Sequence, residues 1–205
     1  MLAAKIRNLP SCAKGMIKLK IGFAMSGSFC NIKRATKELE RLKERGDELL
    51  PIMSYNVYNT DTKFGEAEAL RSYVRDVTHA EIIHTIPDAE PIGPKIKLDC
   101  LCICPCSGNT LAKLARGICD TPVTMAAKAH LRNERPLVVA IASNDALCGN
   151  AESLGIMLAR RNVYFVPFSQ DDPANKPRSA VCDFERLSAT IDLAVKGLQI
   201  QPILL

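Results

Sequence analysis

Three short stretches carry residue types that hold ligands. Ser26–Gly27–Ser28, Ser107–Gly108–Asn109–Thr110 and Ser143–Asn144 are small and polar, and each follows an apolar run. Hydroxyls, carboxamides and uncovered backbone N–H groups suit phosphates and other electron-rich groups, above all where a strand turns into a helix. Residues 22–28 read GFAMSGS, with the two glycines of a nucleotide phosphate loop but no lysine after the second, so a triphosphate site lacks its cation. The stretch is not a G-x-G-x-x-G dinucleotide fingerprint either. Hydroxyls and amides without a lysine suit a single phosphate monoester, such as that of a mononucleotide flavin. The plainer alternative is that Gly27 only serves a tight turn.

The middle stretch belongs to residues 98–120, LDCLCICPCSGNTLAKLARGICD. Residues 98–104 have the length and apolar character of a buried strand. Pro105 is expected to end it, having no N–H for a ladder, and Cys106 then joins the polar turn. Residues 110–116 have helical spacing with Leu111, Leu114 and Ala115 on one face, and Gly117 is a natural stop. Asn109, at the junction, has two readings. Its amide both donates and accepts, which suits a ligand; asparagine is equally a favoured helix cap.

Other reactive residue types are less telling. Cys100, Cys102 and Cys104 share one strand face, in a chain with nine cysteines. Their C-x-C spacing is poor for zinc, so they read as small buried apolar residues of a cytosolic protein, and no metal site is expected. His79, His84 and His130 are expected in helices or at helix ends, as surface or packing residues without a nucleophile beside them. Asp99 and Asp120 form no evident acid–base pair; Asp120, just past a helix end, would face a ligand or a neighbouring subunit.

The elements that must position the three turns alternate in type. Strands are expected at residues 17–24, 48–55 (weakened by Pro51), 82–86, 98–104, 137–142 and 163–167. Helices are expected at 32–45, 64–77, 110–116, 122–132, 151–161 and 184–196, with 56–63, 87–97 and 169–178 as loops. Near-continuously apolar strands separated by helices predict a single doubly wound α/β domain, Rossmann-like, with a mainly parallel sheet. In such sheets ligands lie beyond the carboxyl ends of the strands, where all three turns fall. The domain spans residues 17–205, and 1–16 read as an N-terminal extension, packed or disordered, that fails as a secretory signal. At 47% hydrophobic and 24% charged, the composition is that of a soluble globular chain. The net charge of +5 is scattered without interleaved aromatics, which gives no sign of nucleic-acid binding. No apolar run is long enough to span a bilayer.

Residues 105–123, PCSGNTLAKLARGICDTPV, resemble the P-x-S/T-x-N-T/S-x-x-K-x-x-x-G-x-x-D segment of flavoproteins of the cysteine decarboxylase type. GFAMSGS is similar to that family's flavin-phosphate turn. A narrower resemblance runs in order through residues 22–30, 54–70, 89–100, 128–150 and 163–179, and is to the family of dipicolinate synthase B subunits of endospore formers.

The resemblance implies a flavodoxin-related fold, FMN as cofactor, and a homo-oligomer, because the family builds its flavin sites at subunit contacts. It implies oxidation of the small dicarboxylate dihydrodipicolinate to dipicolinate during sporulation, in the mother-cell cytoplasm. The partner would be a separate A subunit carrying the NADP site. Carried over by position, Ser26, Gly27 and Ser28 would hold the flavin phosphate and ribityl chain. Ser107, Gly108, Asn109 and Thr110 would line the flavin, with Ser143 and Asn144 on its far side. The decarboxylases carry a histidine in an H-I-x-L stretch where this chain has Lys95–Ile96–Lys97–Leu98, which argues against cysteine decarboxylation. Asn109 and Lys95 are therefore the catalytic candidates, and Lys95, Lys128 and Arg132 the candidate cations for two substrate carboxylates. Two other readings stand beside this one: a non-catalytic partner that stabilises the A subunit, and an independent flavin-dependent decarboxylase or prenyltransferase.

Overall fold

The apolar run KIGFAM forms β1 (Lys20–Met25), buried from Ile21 onward. Ser26–Ser28 then turn the chain through a 3-10 segment (Phe29–Asn31) into α1 (Ile32–Glu44), whose Ala35, Leu39 and Leu42 are buried. This is the start of a computed structural model that describes residues 18–205. The expected extension at 1–16 lies outside the described residues, as does Ile17.

The chain continues through β2 (Glu48–Met53), α2 (Tyr55–Asn59), α3 (Ala67–Thr78) and α4 (Ile86–Ala89) to β3 (Cys100–Cys106). After it come α5 (Gly108–Arg116), α6 (Pro122–Leu131), β4 (Leu137–Ser143), α7 (Ala151–Leu158) and β5 (Val163–Phe165). Two short strands, β6 (Phe168–Ser169) and β7 (Ala180–Cys182), precede α8 (Leu187–Ala194). The parallel strands β2, β1, β3, β4 and β5 lie in that order. β5 pairs with the first half of β4 at Leu137–Val139, while β7 pairs antiparallel with its last residues, Ala142 and Ser143. Helices cover both faces, and β3 and β4 are buried along their whole length. The chain is thus one α/β domain on a mostly parallel seven-stranded sheet, the class expected from the sequence.

Several local expectations are corrected. Pro105 does not end β3. The pairing of β3 with β4 shifts register between Ile103 and Cys106, and proline is tolerated at such an irregularity, where no ladder donor is needed. Cys106 is accordingly a fully buried strand residue rather than part of the turn. Pro51 sits inside β2 because β2 is the sheet's edge strand. Residues 56–63 are not all loop: Ser54 caps α2 by accepting from the Val57 N–H. Residues 82–86 make a single bridge, Ile52 to Ile83, in place of a strand, and Pro87 lies in the first turn of α4. The last strand is β7, not 163–167. His84 lies outside any helix, its ring stacked on Tyr58 with centroids 3.9 Å apart.

Candidate functional site

Strand order brings the three turns together. β1 and β3 are neighbours, and from them the chain winds outward in opposite directions, to β2 on one side and β4 on the other. A crevice must open at the carboxyl ends of strands that part in this way. It is a cavity of about 910 Å³, near the top of the ~300–1,000 Å³ range of small-molecule sites. Gly27 and Ser28 line it from the β1 turn, Ser107, Gly108 and Asn109 from the β3 turn, and Ser143 and Asn144 from the β4 turn.

The other two expected site residues stand behind this lining. Ser26 is fully buried; its hydroxyl donates to the Pro105 carbonyl at 3.0 Å and accepts the Ser107 N–H at 2.9 Å. Thr110 is buried, and its N–H donates to Ser107 Oγ at 3.4 Å. Ser107, not Asn109, is therefore the N-cap of α5. Asn109 is the second helical residue, exposed and facing the cavity. The first N–H groups of a helix have no intrahelical acceptor, so those of Gly108 and Asn109 remain for whatever occupies the cavity.

Two glycines show how tightly the pieces meet. A Cβ on Gly108 would lie 2.5 Å from Ser143 Oγ, 2.7 Å from Asp145 Oδ1 and 2.8 Å from Asn150 Nδ2, so the β3 and β4 turns are packed directly against each other. Gly27 is different. It does not adopt a positive φ, and a Cβ there would meet only Phe29, at 3.8 Å. What its bare Cα leaves open is close approach to the backbone from the cavity. That opening, with the Ser28 hydroxyl, the Asn109 and Asn144 amides and the free N–H groups of α5, fits an uncharged cradle for a phosphate monoester with a polar ring system.

Asp145, Asp171, Lys176, Ser179, Lys63 and Phe64 also line the cavity, and none was singled out by the sequence. Asp145 follows Asn144 directly and so had a signal. Its carboxylate accepts from Ser143 Oγ at 2.5 Å and from Asn150 Nδ2 at 2.6 Å, which fixes the β4 turn. Asp171 accepts from the Ser179 hydroxyl and pairs with Lys176 at 3.2 Å. That hydroxyl, and then Lys176, hold its carboxyl below the usual carboxylate range. Asp171, Lys176 and Ser179 reach the cavity because β7, just after them, folds back onto the end of β4, a return that no local pattern announces.

The cations expected for substrate carboxylates lie elsewhere in the chain. Lys95 belongs to the loop before β3, whose Gly93 packs against Ala129 and Asn133 at the end of α6. Lys128 and Arg132 sit at that same helix end. All three are at the amino-terminal edge of the sheet, separated from the cavity by the seven residues of β3, roughly 20 Å. Asp120 pairs with Lys113 at 2.9 Å. His130 is fully enclosed, with Nε2 3.0 Å from the Pro136 carbonyl. Cys100, Cys102, Cys104 and Cys106 are fully buried, and burial pushes their thiols far from ionisation, Cys106 up to about 12.

The family model described as Flavoprotein matches residues 13–154, which include all three turns. The B subunit of dipicolinate synthase from Bacillus subtilis (strain 168) is 43% identical over 185 residues, 90% of this chain and 92% of that protein. The chain belongs to the flavoprotein family, within its group of dipicolinate synthase B subunits. The crystal structure of the dipicolinate synthase B subunit from Bacillus halodurans C superposes with a TM-score of 0.84 at 42% identity, covering 91% of this chain and 96% of that one. A more distant flavoprotein, AnUbiX (PadA1) in complex with FMN and dimethylallyl pyrophosphate, shares the fold at a TM-score of 0.57 and 24% identity, covering 74% and 78% of the two chains. No helix among the described residues is long and apolar enough to cross a membrane.

Proposed function

We propose that this chain is the flavin-binding subunit of a dipicolinate synthase, and that with an A subunit it oxidises dihydrodipicolinate to dipicolinate. The observation that carries the reading is the meeting of three uncharged polar turns in one cavity at the β1–β3 parting, in a chain 43% identical to a dipicolinate synthase B subunit. Gly27 and Ser28 would receive the phosphate of FMN, and the free N–H groups of α5 with Asn109 and Asn144 would hold its polar ring edge. Bound flavin would supply a two-electron acceptor, and NADP on the A subunit would reoxidise it for the next turnover. The substrate gives up a hydride and a proton and becomes aromatic, so the step is downhill and the protein's task is to orient donor and acceptor and keep water away. Asn109 is the residue best placed to orient, because its amide faces the cavity and is not consumed in capping α5.

The rest of the setting follows from the same reading. The A subunit would carry NADP, copies of this chain would associate so that neighbours help close the flavin site, and the work would fall in the mother-cell cytoplasm of a sporulating bacterium. The test is direct. Protein purified alone, and then with its A subunit, is examined for absorbance in the flavin bands and for turnover of dihydrodipicolinate, with light scattering for size. Stoichiometric flavin, and turnover that depends on both chains, is the expected result. Protein that takes up no FMN in either state would overturn the flavin role, and full turnover by the A subunit alone would overturn the catalytic one.

A further inference from the structure

The cavity has four charged side chains on its wall, Lys63, Asp145, Asp171 and Lys176. Three of them are engaged. Asp145 is held by Ser143 and Asn150, and Asp171 and Lys176 are held by each other. Lys63 has no carboxylate within ion-pair distance among the described residues, and its ammonium lies over the ring of Phe64, 5.2 Å from the ring centre. Phe64 itself is 58% exposed, the more exposed of the two exposed aromatic side chains among the described residues.

The turn that presents this pair is well defined. The Thr62 N–H donates to the Gly65 carbonyl at 3.0 Å, and the Gly65 N–H returns a bond to Thr62 at 3.1 Å. The Phe64 N–H donates to Thr62 Oγ1 at 3.1 Å. Asp61 fastens the turn to the helix behind it by accepting the Ala67 N–H at 2.8 Å. A hydrogen-bonded turn thus holds a flat apolar ring, with an unneutralised ammonium over it, on the wall of the candidate flavin cavity.

We propose that Lys63 and Phe64 are the specificity-determining contacts for the substrate, a dihydropyridine ring carrying two carboxylates that flattens as it becomes aromatic. The ring face stacks on Phe64, and one carboxylate takes the Lys63 ammonium in a charge-assisted hydrogen bond. Lys176, already shared with Asp171, is the other lysine lining the cavity and would take the second carboxylate. The pairing explains why a phenylalanine stays exposed in the free chain: it is covered when the site is filled. It also gives the cavity the cation that Lys95, Lys128 and Arg132, at the other edge of the sheet, do not provide. The inference rests on the reading of this cavity as the site of a dicarboxylate-oxidising flavoprotein.

The experiment measures binding of dipicolinate, the stable aromatic product, by calorimetry, while the absorbance of each preparation reports its flavin content separately. It is run on the protein alone and with its A subunit. Lys63→Gln is expected to weaken dipicolinate about tenfold, and Phe64→Ser to weaken it several-fold, with flavin content unchanged in both. Wild type should prefer dipicolinate over the monocarboxylate picolinate, and Lys63→Gln should lose most of that preference. Lys18→Gln, exposed at the other edge of the sheet, is the control and should bind normally. Unchanged affinity in Lys63→Gln, or no binding of dipicolinate by wild type in either preparation, overturns the proposal. Protein without flavin that still binds dipicolinate through Lys63 would uphold this contact and overturn the flavin reading instead.

Discussion

The N–H of Ser107 donates to the hydroxyl of Ser26 at 2.9 Å, a bond between residues 81 apart in sequence. The same hydroxyl donates to the Pro105 carbonyl at 3.0 Å, and the Ser26 N–H donates to that carbonyl at 3.1 Å. One small side chain thus ties the turn after β1 to the turn after β3 and satisfies buried groups on both.

Ser26→Ala removes this tie and leaves the partly buried Ser107 N–H without its acceptor. The expected loss is about 1–3 kcal/mol of stability, the cost of a buried donor left unpaired. Urea denaturation checks it. Because the hydroxyl is spent within the protein, flavin affinity should fall less than it does for Ser28→Ala, whose side chain lines the cavity.

A pair of glycines tests how closely the turns are packed. Gly108→Ala would push a methyl group to within 3 Å of three side chains that are locked by their own hydrogen bonds, and should cost about 1–3 kcal/mol. Gly155→Ala, in α7 with no atom within 4 Å of its added Cβ, should stabilise the protein by up to about 1 kcal/mol. Thermal melts of the two variants should therefore move in opposite directions.

Stability should fall with pH through His130. With Nε2 bonded to the Pro136 carbonyl and Nδ1 buried without a partner, a second proton has nowhere to be solvated. Burial, the leading cause, lowers its pKa to about 4. The unfolded chain, near 6.5, takes the proton first, so the contribution is complete above pH 6.5 and is lost progressively as pH falls toward 4, by roughly 3 kcal/mol at most. Urea midpoints from pH 7.5 to 4.5 should show this slope in the wild type and a shallower one in His130→Gln.

Thiol chemistry should separate the cysteines by position. Cys30 and Cys148 are exposed and should label quickly in native protein. Cys100, Cys102, Cys104, Cys106 and Cys182 are buried and should label only on unfolding, as peptide mapping would show. Cys102→Val should leave flavin content unchanged, since Cys102 packs in the core and does not line the cavity.

What the sequence disclosed follows from the range of the forces involved. The alternation of apolar runs with amphipathic segments is local, so the α/β class, α1, α5, α6 and the parallel strands could be read directly. The three polar turns were legible for the same reason, since each lies at the end of an apolar run. The register shift that lets Pro105 sit inside β3 depends on β4, and the return of β7 onto Ser143 depends on a contact across 37 residues, from 180 back to 143. Neither leaves a local pattern. Asp171 and Lys176 were missed with them, because their place at the cavity is set by the return of β7; Lys63 was missed because the turn after α2 that carries it meets the cavity from the β1–β2 side of the sheet. Lys95 was chosen by its place in the resembled H-I-x-L stretch, and within one copy of the chain that place lies before β3, at the end of the strand away from the cavity.

Asn109 is where sequence left two roles open and where the structure sharpens the choice. As a helix cap, it would be replaced by aspartate without harm, but the cap of α5 is Ser107, which accepts the Thr110 N–H. Asn109 is instead the second helical residue and exposed to the cavity. A carboxylate there would gain about 0.3–1 kcal/mol from the helix N-terminus. Asp145, already close to Gly108, would take back part of that gain by repulsion. The stability of Asn109→Asp should therefore stay within about 0.5 kcal/mol of the wild type. Its ligand chemistry should not be spared. The substitution removes an amide donor and sets a negative charge against a flavin phosphate or a substrate carboxylate, a loss of roughly 1–3 kcal/mol in binding. The expected variant melts like the wild type, takes up FMN five- to a hundredfold more weakly, or turns over poorly when joined to its A subunit. Wild-type FMN affinity together with wild-type turnover would remove Asn109 from the site.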